Sequence, residues 1–187
     1  MDLPEEDYDY GIKSVSFSEK IEFKNVSLKI NNNTVLDNIS FVLNSGESLG
    51  IIGSTGSGKS MVVYLLLGFF EATSGEILID GINIKEINKR YIREKISAIM
   101  QDSELFNMSI LDNIKIVNDD IDESSVYNAT EISSIHSEIM NFSSKYKTIV
   151  VDNGVNLSGG QKQRISIARG LLKPFEVLIL DDSLSAV

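Results

Sequence analysis

The sequence predicts an α/β fold whose ligand-binding groups follow the carboxyl ends of parallel strands. A short apolar run at 49–52 leads into a glycine-rich octapeptide, and an apolar stretch at 61–70 leads out of it. This order of strand, glycine loop and helix is the context in which a phosphate site forms. Residues 177–180 add a fully apolar run of strand length, which is typical of a central parallel strand.

The octapeptide has the spacing G-x-x-x-x-G-K-[ST] of a nucleotide phosphate loop. Its glycines let successive backbone N–H groups point at phosphate oxygens, and the positive end of the next helix faces the same anion. Lys59 would reach the β- and γ-phosphates, and the Ser60 hydroxyl would complete the shell of a Mg²⁺ ion. A glycine-rich turn without a ligand is the other interpretation, and the flanking patterns argue against it. The loop consists of Gly53, Ser54, Thr55, Gly56, Ser57, Gly58, Lys59 and Ser60.

Composition narrows the class of function. The chain has 187 residues, and 27 acidic against 17 basic side chains give it a net charge of −10. A non-specific nucleic-acid binder normally carries a basic face, so no nucleic-acid partner is expected. The chain has no cysteine for a disulfide or a metal site, and its single histidine, His136, is interpreted as an ordinary helix residue.

The N-terminal half begins with an acidic segment and then turns to strands. Residues 1–20 carry too little apolar surface to fold alone and are predicted to be a linker. Alternating apolar and polar residues predict two short strands, at 21–23 and 26–30, and a turn follows at 31–33. An Asp-Gly pair between the apolar flanks of 77–84 indicates a hairpin.

Helical spacing dominates the rest of the chain. Residues 85–95 predict a charged, solvated helix, and 96–100 predict a buried strand. Apolar residues recur every three or four positions through 122–142 and predict one helix with a single apolar face. A last helix is predicted at 158–172 and is ended by Pro174.

A second motif decides between the classes of phosphate-loop protein. The pentapeptide Leu-Ser-Gly-Gly-Gln at 157–161 is followed by Lys-Gln-Arg, and the strand at 177–180 ends in two aspartates. With the phosphate loop in this order, residues 21–187 resemble the nucleotide-binding domain of ABC transporters, of the exporter type. The resemblance implies a P-loop NTPase core with a mostly parallel sheet, an N-terminal antiparallel β-subdomain and an inserted α-helical subdomain, incomplete at the C-terminus.

The same resemblance divides the chain. Residues 1–20 correspond to a linker from an upstream membrane domain, 21–101 to the β-subdomain and P-loop core, 102–170 to the helical subdomain, and 171–187 to the Walker B strand. Because the chain stops before the strand that carries the family's switch histidine, we expect a fragment that is weak or inactive by itself.

Site roles follow from the resemblance, position by position. Residues 53–60 match the Walker A loop, Gln101 the Q-loop glutamine and Asp181 the Walker B aspartate. Ser60, Gln101 and Asp181 would hold Mg²⁺. Asp182 stands at the position of the catalytic base, with Gln101 and Lys59 assisting. The signature, which closes on ATP bound to a partner subunit, consists of Leu157, Ser158, Gly159, Gly160 and Gln161.

Three positions around the nucleotide depart from the family pattern. Asp182 replaces the usual Glu and is one C–C bond shorter, roughly 1.5 Å. A misplacement of about 1 Å can slow a reaction on the order of 10²-fold. Ile30 stands where an aromatic ring usually stacks on adenine, and Met61 stands where a hydroxyl usually meets the α-phosphate. The ATP site is therefore expected to be degenerate and slow.

The resemblance also implies partners. In this family two nucleotide-binding domains pair head to tail around two ATP molecules, so a degenerate site with an intact signature implies a heterodimer. The loop at 148–154, with Asp152 where Glu is usual, resembles the segment that touches the coupling helices of a transmembrane domain of the same polypeptide or complex. The resemblance therefore implies that this chain, as a peripheral domain of a membrane protein, lies at the cytoplasmic face of the cell membrane.

Three functional hypotheses remain. The first is an energy-coupling domain that binds and hydrolyses ATP to drive substrate export across a membrane. The second is a non-hydrolysing module that uses ATP only to close the dimer. The third is a soluble ABC-type ATPase of DNA repair or translation, against which the acidic charge and the exporter-like loop at 148–154 argue.

Overall fold

A computed structural model describes residues 10–12, 14–100 and 104–181 of the chain. They belong to two compact units, Met1–Lys95 and Ile96–Val187, each with a sheet of its own.

The first unit is built on an antiparallel sheet of four strands in the order β2-β1-β3-β4. This sheet confirms the antiparallel β-subdomain that was expected on the N-terminal side. Its core includes Phe23, Val26, Leu28 and Ile79, each at most 2% exposed. The strands are β1 (Lys20–Ile30), β2 (Asn33–Asn44), β3 (Ser74–Ile79) and β4 (Ile82–Asn83).

Strand β1 is continuous where the sequence predicts two short strands. Its register against β2 shifts between Phe23 and Val26, and Asn25 in this interval has a φ of 49°. Such a bulge accommodates one extra residue on β1 without ending the strand. The bulge brings β3 close, because a Cβ on Gly75 would lie 2.3 Å from the carbonyl oxygen of Asn25. Only glycine fits at position 75.

Two tight turns lie where the sequence places them. Asn31 and Asn32, with φ of 48° and 64°, connect β1 to β2. Asp80 and Gly81, with φ of 49° and 79°, connect β3 to β4 and give the backbone geometry of a type I′ turn. The predicted hairpin is confirmed.

The described part of the first unit also contains two α-helices, α1 (Lys59–Leu66) and α2 (Lys89–Lys95), and a 3₁₀ turn at Ile84–Glu86. Helix α1 ends earlier than the apolar stretch that predicted it, because Gly68 adopts a φ of 71°. Helix α2 begins later than predicted. Its first turn is capped by the Asn88 side chain, which accepts a hydrogen bond from the Tyr91 N–H at 3.1 Å.

The prediction of a strand at 49–52 is wrong. These residues have no strand structure, and Ile52 is 98% exposed. A strand needs a neighbour that takes up its N–H and C=O groups, and none of the described strands pairs with this segment.

The segment before β1 lies against the first unit. The Ile12 N–H donates to the Glu86 carbonyl oxygen at 2.7 Å, and the Asn88 N–H donates to the Ile12 carbonyl oxygen at 3.0 Å. The Tyr91 hydroxyl donates to the carbonyl oxygen of Val15, whose side chain is buried. The described part of the predicted linker thus contacts the domain that follows it.

The second unit contains a two-stranded parallel sheet in its described residues, which confirms the parallel pairing predicted for the apolar run. The predicted central position is not observed, because the run has one neighbouring strand and its Leu178 and Leu180 are exposed. Strands β5 (Ile96–Ile99) and β6 (Val177–Leu180) run in register from Ile96 opposite Val177 to Ile99 opposite Leu180. Its described residues also form a 3₁₀ turn at Lys145–Lys147 and four α-helices: α3 (Ile110–Lys115), α4 (Glu123–Ile132), α5 (His136–Asn141) and α6 (Gly159–Leu172). Helix α6 contacts α3, α4 and β5.

The prediction of a single helix through 122–142 is wrong, because α4 and α5 are separate helices. Ser134 lies between them with a φ of 59°, which an α-helix does not contain. The apolar spacing continues across the break since Val126, Ile135 and Ile139 are all buried in one core. The buried members of this core are Leu105, Ile110, Ile114, Val126, Ala129, Ile135, Ile139, Tyr146, Val150, Leu157, Ile165 and Ala168.

None of the helices in the described ranges combines the length and the apolar character needed to cross a bilayer.

Candidate functional site

The phosphate loop is exposed at 53–57 and leads directly into α1, whose first two residues, Lys59 and Ser60, are half-buried. The Lys59 ammonium donates to the carbonyl oxygens of Gly53 at 2.8 Å and Ser54 at 2.9 Å. The Ser57 N–H also donates to the Ser54 carbonyl oxygen, at 3.1 Å. The lysine is thus held on its own loop by neutral acceptors, and charged phosphate oxygens would bind it more strongly.

Two glycines of the loop have positive φ for different reasons. Gly58, with a φ of 88°, packs against β2, where a Cβ would lie 2.8 Å from the Val35 carbonyl oxygen. Gly56, with a φ of 80°, has no atom within 4 Å of the position of a Cβ. Gly58 therefore seats the loop on the sheet, and Gly56 leaves its outer face open to a ligand.

The N-terminus of α1 carries no side-chain cap, because its N-cap residue is Gly58. The first N–H groups of a helix have no partner within the helix, so an uncapped start is suited to an anion. The hydroxyl of Ser60 is in the first turn and is of the ligand type that Mg²⁺ prefers. The residues of this loop therefore fit the Mg²⁺-nucleotide predicted for them.

Two of the three departures predicted around the nucleotide, Ile30 and Met61, belong to the same unit as the loop. Ile30 is the last residue of β1 and Met61 is the third residue of α1, and both are half-buried. The Met61 N–H donates to the Gly58 carbonyl oxygen at 2.9 Å. Neither side chain provides an aromatic face or a hydroxyl, and their roles stay predictions.

Asp181 follows β6 in the second unit. Its N–H donates to the Ile99 carbonyl oxygen at 2.9 Å, which extends the parallel pairing by one residue. The aspartate thus lies at the carboxyl end of a parallel strand, where α/β sheets place ligand groups. Gln101 and Asp182 lie outside the described residues. Within the described ranges, no cluster of three or more His, Cys, Asp and Glu residues could hold a metal ion.

The signature pentapeptide forms the N-terminus of α6. Ser158 is the N-cap, and its Oγ accepts a hydrogen bond from the Gln161 N–H at 3.2 Å. The Gln161 Oε1 accepts one in return from the Ser158 N–H at 2.9 Å. This is a complete capping box, and it fixes the first turn of the helix.

The side chains of the signature divide between core and surface. Leu157 is 8% exposed and packs in the core of the second unit, so it anchors the motif. Ser158 and Gly159 are exposed, and a Cβ on Gly159 would meet no atom within 4 Å. Because internal packing places no demand on Gly159, its small size is available for the close approach of a ligand.

Two charged side chains that hold the signature helix in place, Glu138 and Arg169, were not predicted from the sequence. Glu138 on α5 accepts hydrogen bonds from Gln161 and Arg164 of α6. Arg169 of α6 donates to the carbonyl oxygens of Asn113 at 2.9 Å and Glu104 at 3.1 Å, and burial lowers its pKa. Nothing in the spacing of these residues along the chain signals either contact.

A profile described as ABC transporter matches residues 36–185. The chain belongs to the ABC transporter family. The match runs from the second strand of the first unit through the signature helix and β6 of the second.

Curated members of the ABC transporter family are similar over most of this chain. ABC transporter B family member 24, mitochondrial, of Arabidopsis thaliana is 42% identical over 168 residues, which are 89% of this chain and 25% of that protein. An ATP-dependent lipid A-core flippase of Syntrophus aciditrophicus is 36% identical over 181 residues, 97% of this chain and 30% of that protein. This ABC chain therefore spans only 25% and 30% of the length of these two relatives.

A solved structure of a bacterial Atm1-family ABC exporter with ATP bound has the same fold. The TM-score is 0.90 at 32% sequence identity, and the match covers 100% of this chain and 32% of that chain. This likeness confirms the predicted α/β fold of an ABC exporter nucleotide-binding domain.

Proposed function

We propose that this chain is the ATP-binding and ATP-hydrolysing energy-coupling domain of an ABC exporter that drives substrate export across a membrane. The observation that carries the proposal is the phosphate loop, in which Lys59 and an uncapped helix N-terminus adjoin an exposed glycine turn. The names of the relatives, which include a β-(1→2)glucan export protein of Bartonella quintana, support export.

In this proposal the chain holds ATP by its phosphates. The first N–H groups of α1 bind phosphate oxygens, and Lys59 exchanges its two carbonyl partners for the β- and γ-phosphates. Ser60, Gln101 and Asp181 are proposed to hold Mg²⁺, which would supply positive charge to the phosphates when bound. Asp182 orients the attacking water.

The chain's own site is proposed to hydrolyse slowly. Asp182 is shorter than the usual glutamate, Ile30 offers adenine no aromatic face, and Met61 offers the α-phosphate no hydroxyl. Each substitution removes one interaction with the nucleotide or the water. A non-hydrolysing module that only closes the dimer is the alternative that these three residues favour.

The signature is proposed to serve a second nucleotide-binding domain, paired head to tail with this one as a heterodimer. The exposed start of α6, with Ser158 and Gly159 at its tip, supports this. Its capping box is complete, in contrast to the departures around the chain's own nucleotide.

The loop at 148–154 is proposed to meet a transmembrane domain at the cytoplasmic face of the membrane. Val150 is fully buried, and its N–H donates to the Met108 carbonyl oxygen at 2.9 Å. Ile149 and Val151 on either side are exposed. Apolar side chains held outward in this way are suited to a protein contact.

The test is ATP turnover by the complete exporter with its partner subunit. Asp182→Asn should lower total turnover by less than about twofold because the partner's site supplies most of it. Asp182→Glu should raise turnover, and Asp119→Asn, at an exposed position, is the control. The proposal of a slow site fails if the subunit without a partner turns over ATP at the rate of intact homodimers and Asp182→Asn abolishes it.

A further inference from the structure

We propose that Glu138 is a positioning residue for the signature: it fixes the Gln161 side chain and thereby the Ser158 end of α6. The inference rests on the proposed function, because it requires this end of α6 to close on a phosphate of the partner's ATP.

One carboxylate of α5 holds two side chains of α6. Glu138 Oε2 accepts a hydrogen bond from Gln161 Nε2 at 2.8 Å, and Glu138 Oε1 accepts one from Arg164 Nη2. Gln161 and Arg164 are three residues apart and therefore lie on the same face of the helix. The carboxylate thus joins α5 to the first turn of the signature helix.

Glu138 determines which way the Gln161 amide faces. An ionised carboxylate can only accept hydrogen bonds, so the NH₂ group of Gln161 must face it. The Gln161 Oε1 is then directed to the Ser158 N–H, from which it accepts at 2.9 Å. The opposite orientation would place the NH₂ group against that N–H and break half of the capping box.

The completed capping box leaves a defined set of donors for an anion. The Ser158 N–H is taken by Gln161 Oε1, and the Gln161 N–H is taken by Ser158 Oγ. The N–H groups of Gly159 and Gly160 remain at the helix start, and the Ser158 hydroxyl can donate its proton outward. These are the groups that a γ-phosphate would meet.

The charge of Glu138 is compensated within the same contact. A lone carboxylate beside a phosphate site would repel the ligand, but Arg164 pairs with it and is only 15% exposed at its side chain. Glu138 can therefore order the helix start without opposing an anion there.

The competing interpretation is that Glu138 only forms a structural ion pair between α5 and α6. A charge swap distinguishes this interpretation from a positioning role. In Glu138→Arg/Arg164→Glu the ion pair can re-form. The guanidinium at position 138 donates rather than accepts, however, so the Gln161 amide turns over and the capping box is lost.

The experiment uses the complete exporter with its partner subunit and MgATP as the probe. Glu138→Ala should lower kcat/KM for ATP roughly fivefold, the size of effect expected for a lost helix cap. The swap should recover most of the Tm that Glu138→Ala loses but should not recover kcat/KM. Glu131→Ala, at an exposed position of α4, is the matched control and should change neither quantity.

Ser158→Ala is the reference for the signature itself. If it lowers kcat/KM and Glu138→Ala does not, this inference is wrong and the proposed function stands. If Ser158→Ala also has no effect, the proposed role of the signature is wrong. Recovery of kcat/KM together with Tm in the swap would reduce Glu138 to a structural ion pair and overturn the inference.

A variant that retains the side-chain size covers the case in which Glu138→Ala does not fold. Glu138→Met, which retains the side-chain length but cannot accept a hydrogen bond from the Gln161 amide as the carboxylate does, should speed backbone hydrogen exchange at 158–161, measured on the complete exporter, relative to Glu131→Ala. Unchanged exchange there would also overturn the inference.

Discussion

Asp80 and Lys20 exchange two hydrogen bonds across the first unit. The Lys20 N–H donates to Asp80 Oδ1 at 3.0 Å, and the Asp80 N–H donates to the Lys20 carbonyl oxygen at 2.9 Å. The same carboxylate accepts from the Ser16 hydroxyl at 2.7 Å and from the N–H groups of Ser18 and Glu19. A hairpin turn thereby fixes the segment that enters β1.

Replacement of this carboxylate should destabilise the first unit. Burial raises the pKa of Asp80, but the hydrogen bonds from Ser16 and from three backbone N–H groups outweigh it, so the pKa lies below its usual value. We expect Asp80→Asn to lower the free energy of unfolding by about 1–2 kcal/mol, since hydrogen bonds to a charged acceptor weaken. Urea unfolding measures this, with the exposed Asp37→Asn as control. Equal stability of the two variants would contradict it.

Acid should loosen the start of α4. The hydrogen bond from the Ser124 hydroxyl, followed by those from Ser125, lowers the pKa of Asp122 from 3.8 to about 2. A lowered pKa contributes stability that is complete above pH 3.8 and is lost as the pH falls toward 2. Asp122→Asn keeps a capping side chain but does not titrate. It should therefore flatten the pH dependence of unfolding in this window, and an unchanged slope would contradict the assignment.

Two glycines with the same backbone conformation should respond differently to a methyl group. Gly75 and Gly46 have φ of 81° and 80°, but only Gly75 has atoms within 4 Å of a Cβ position. Gly46→Ala should cost about 1 kcal/mol from backbone strain alone. Gly75→Ala should cost clearly more, because its Cβ meets the Asn25 carbonyl oxygen at 2.3 Å. Similar Tm losses in both variants would show that the backbone around Asn25 moves to accommodate the methyl group, and would contradict this prediction.

An aromatic ring at position 30 should strengthen nucleotide binding. Ile30→Tyr supplies the π-face that the family pattern expects against adenine, and stacking contributes about 0.5–1.5 kcal/mol. MgATP should bind roughly two- to twelvefold more tightly by calorimetry. Ile30→Val is the size control and should not tighten binding. If both variants bind alike, adenine does not contact this position.

Features that depend on local chemistry could be predicted from the sequence. The Asp80-Gly81 turn was predicted from two adjacent residues, and the last helix was predicted to within one residue of its start at Gly159. The separation of α4 from α5 at Ser134 could not, because the apolar spacing continues unbroken across it. The contact of Glu138 with Gln161 also escaped prediction, since 23 positions separate them and only the packing of α5 on α6 brings them together.

The central claim is that this chain holds its own ATP while its signature works on the partner's. The direct measurement counts ATP and ADP retained by the complete exporter after one turnover, in the unmodified protein, Lys59→Ala and Ser158→Ala. In the unmodified protein, one of the two bound ATP molecules should stay unhydrolysed. Lys59→Ala should lose this retained ATP. Ser158→Ala should block formation of ADP from the other ATP but should still retain the first. Hydrolysis of both molecules at the same rate in the unmodified protein would contradict the account.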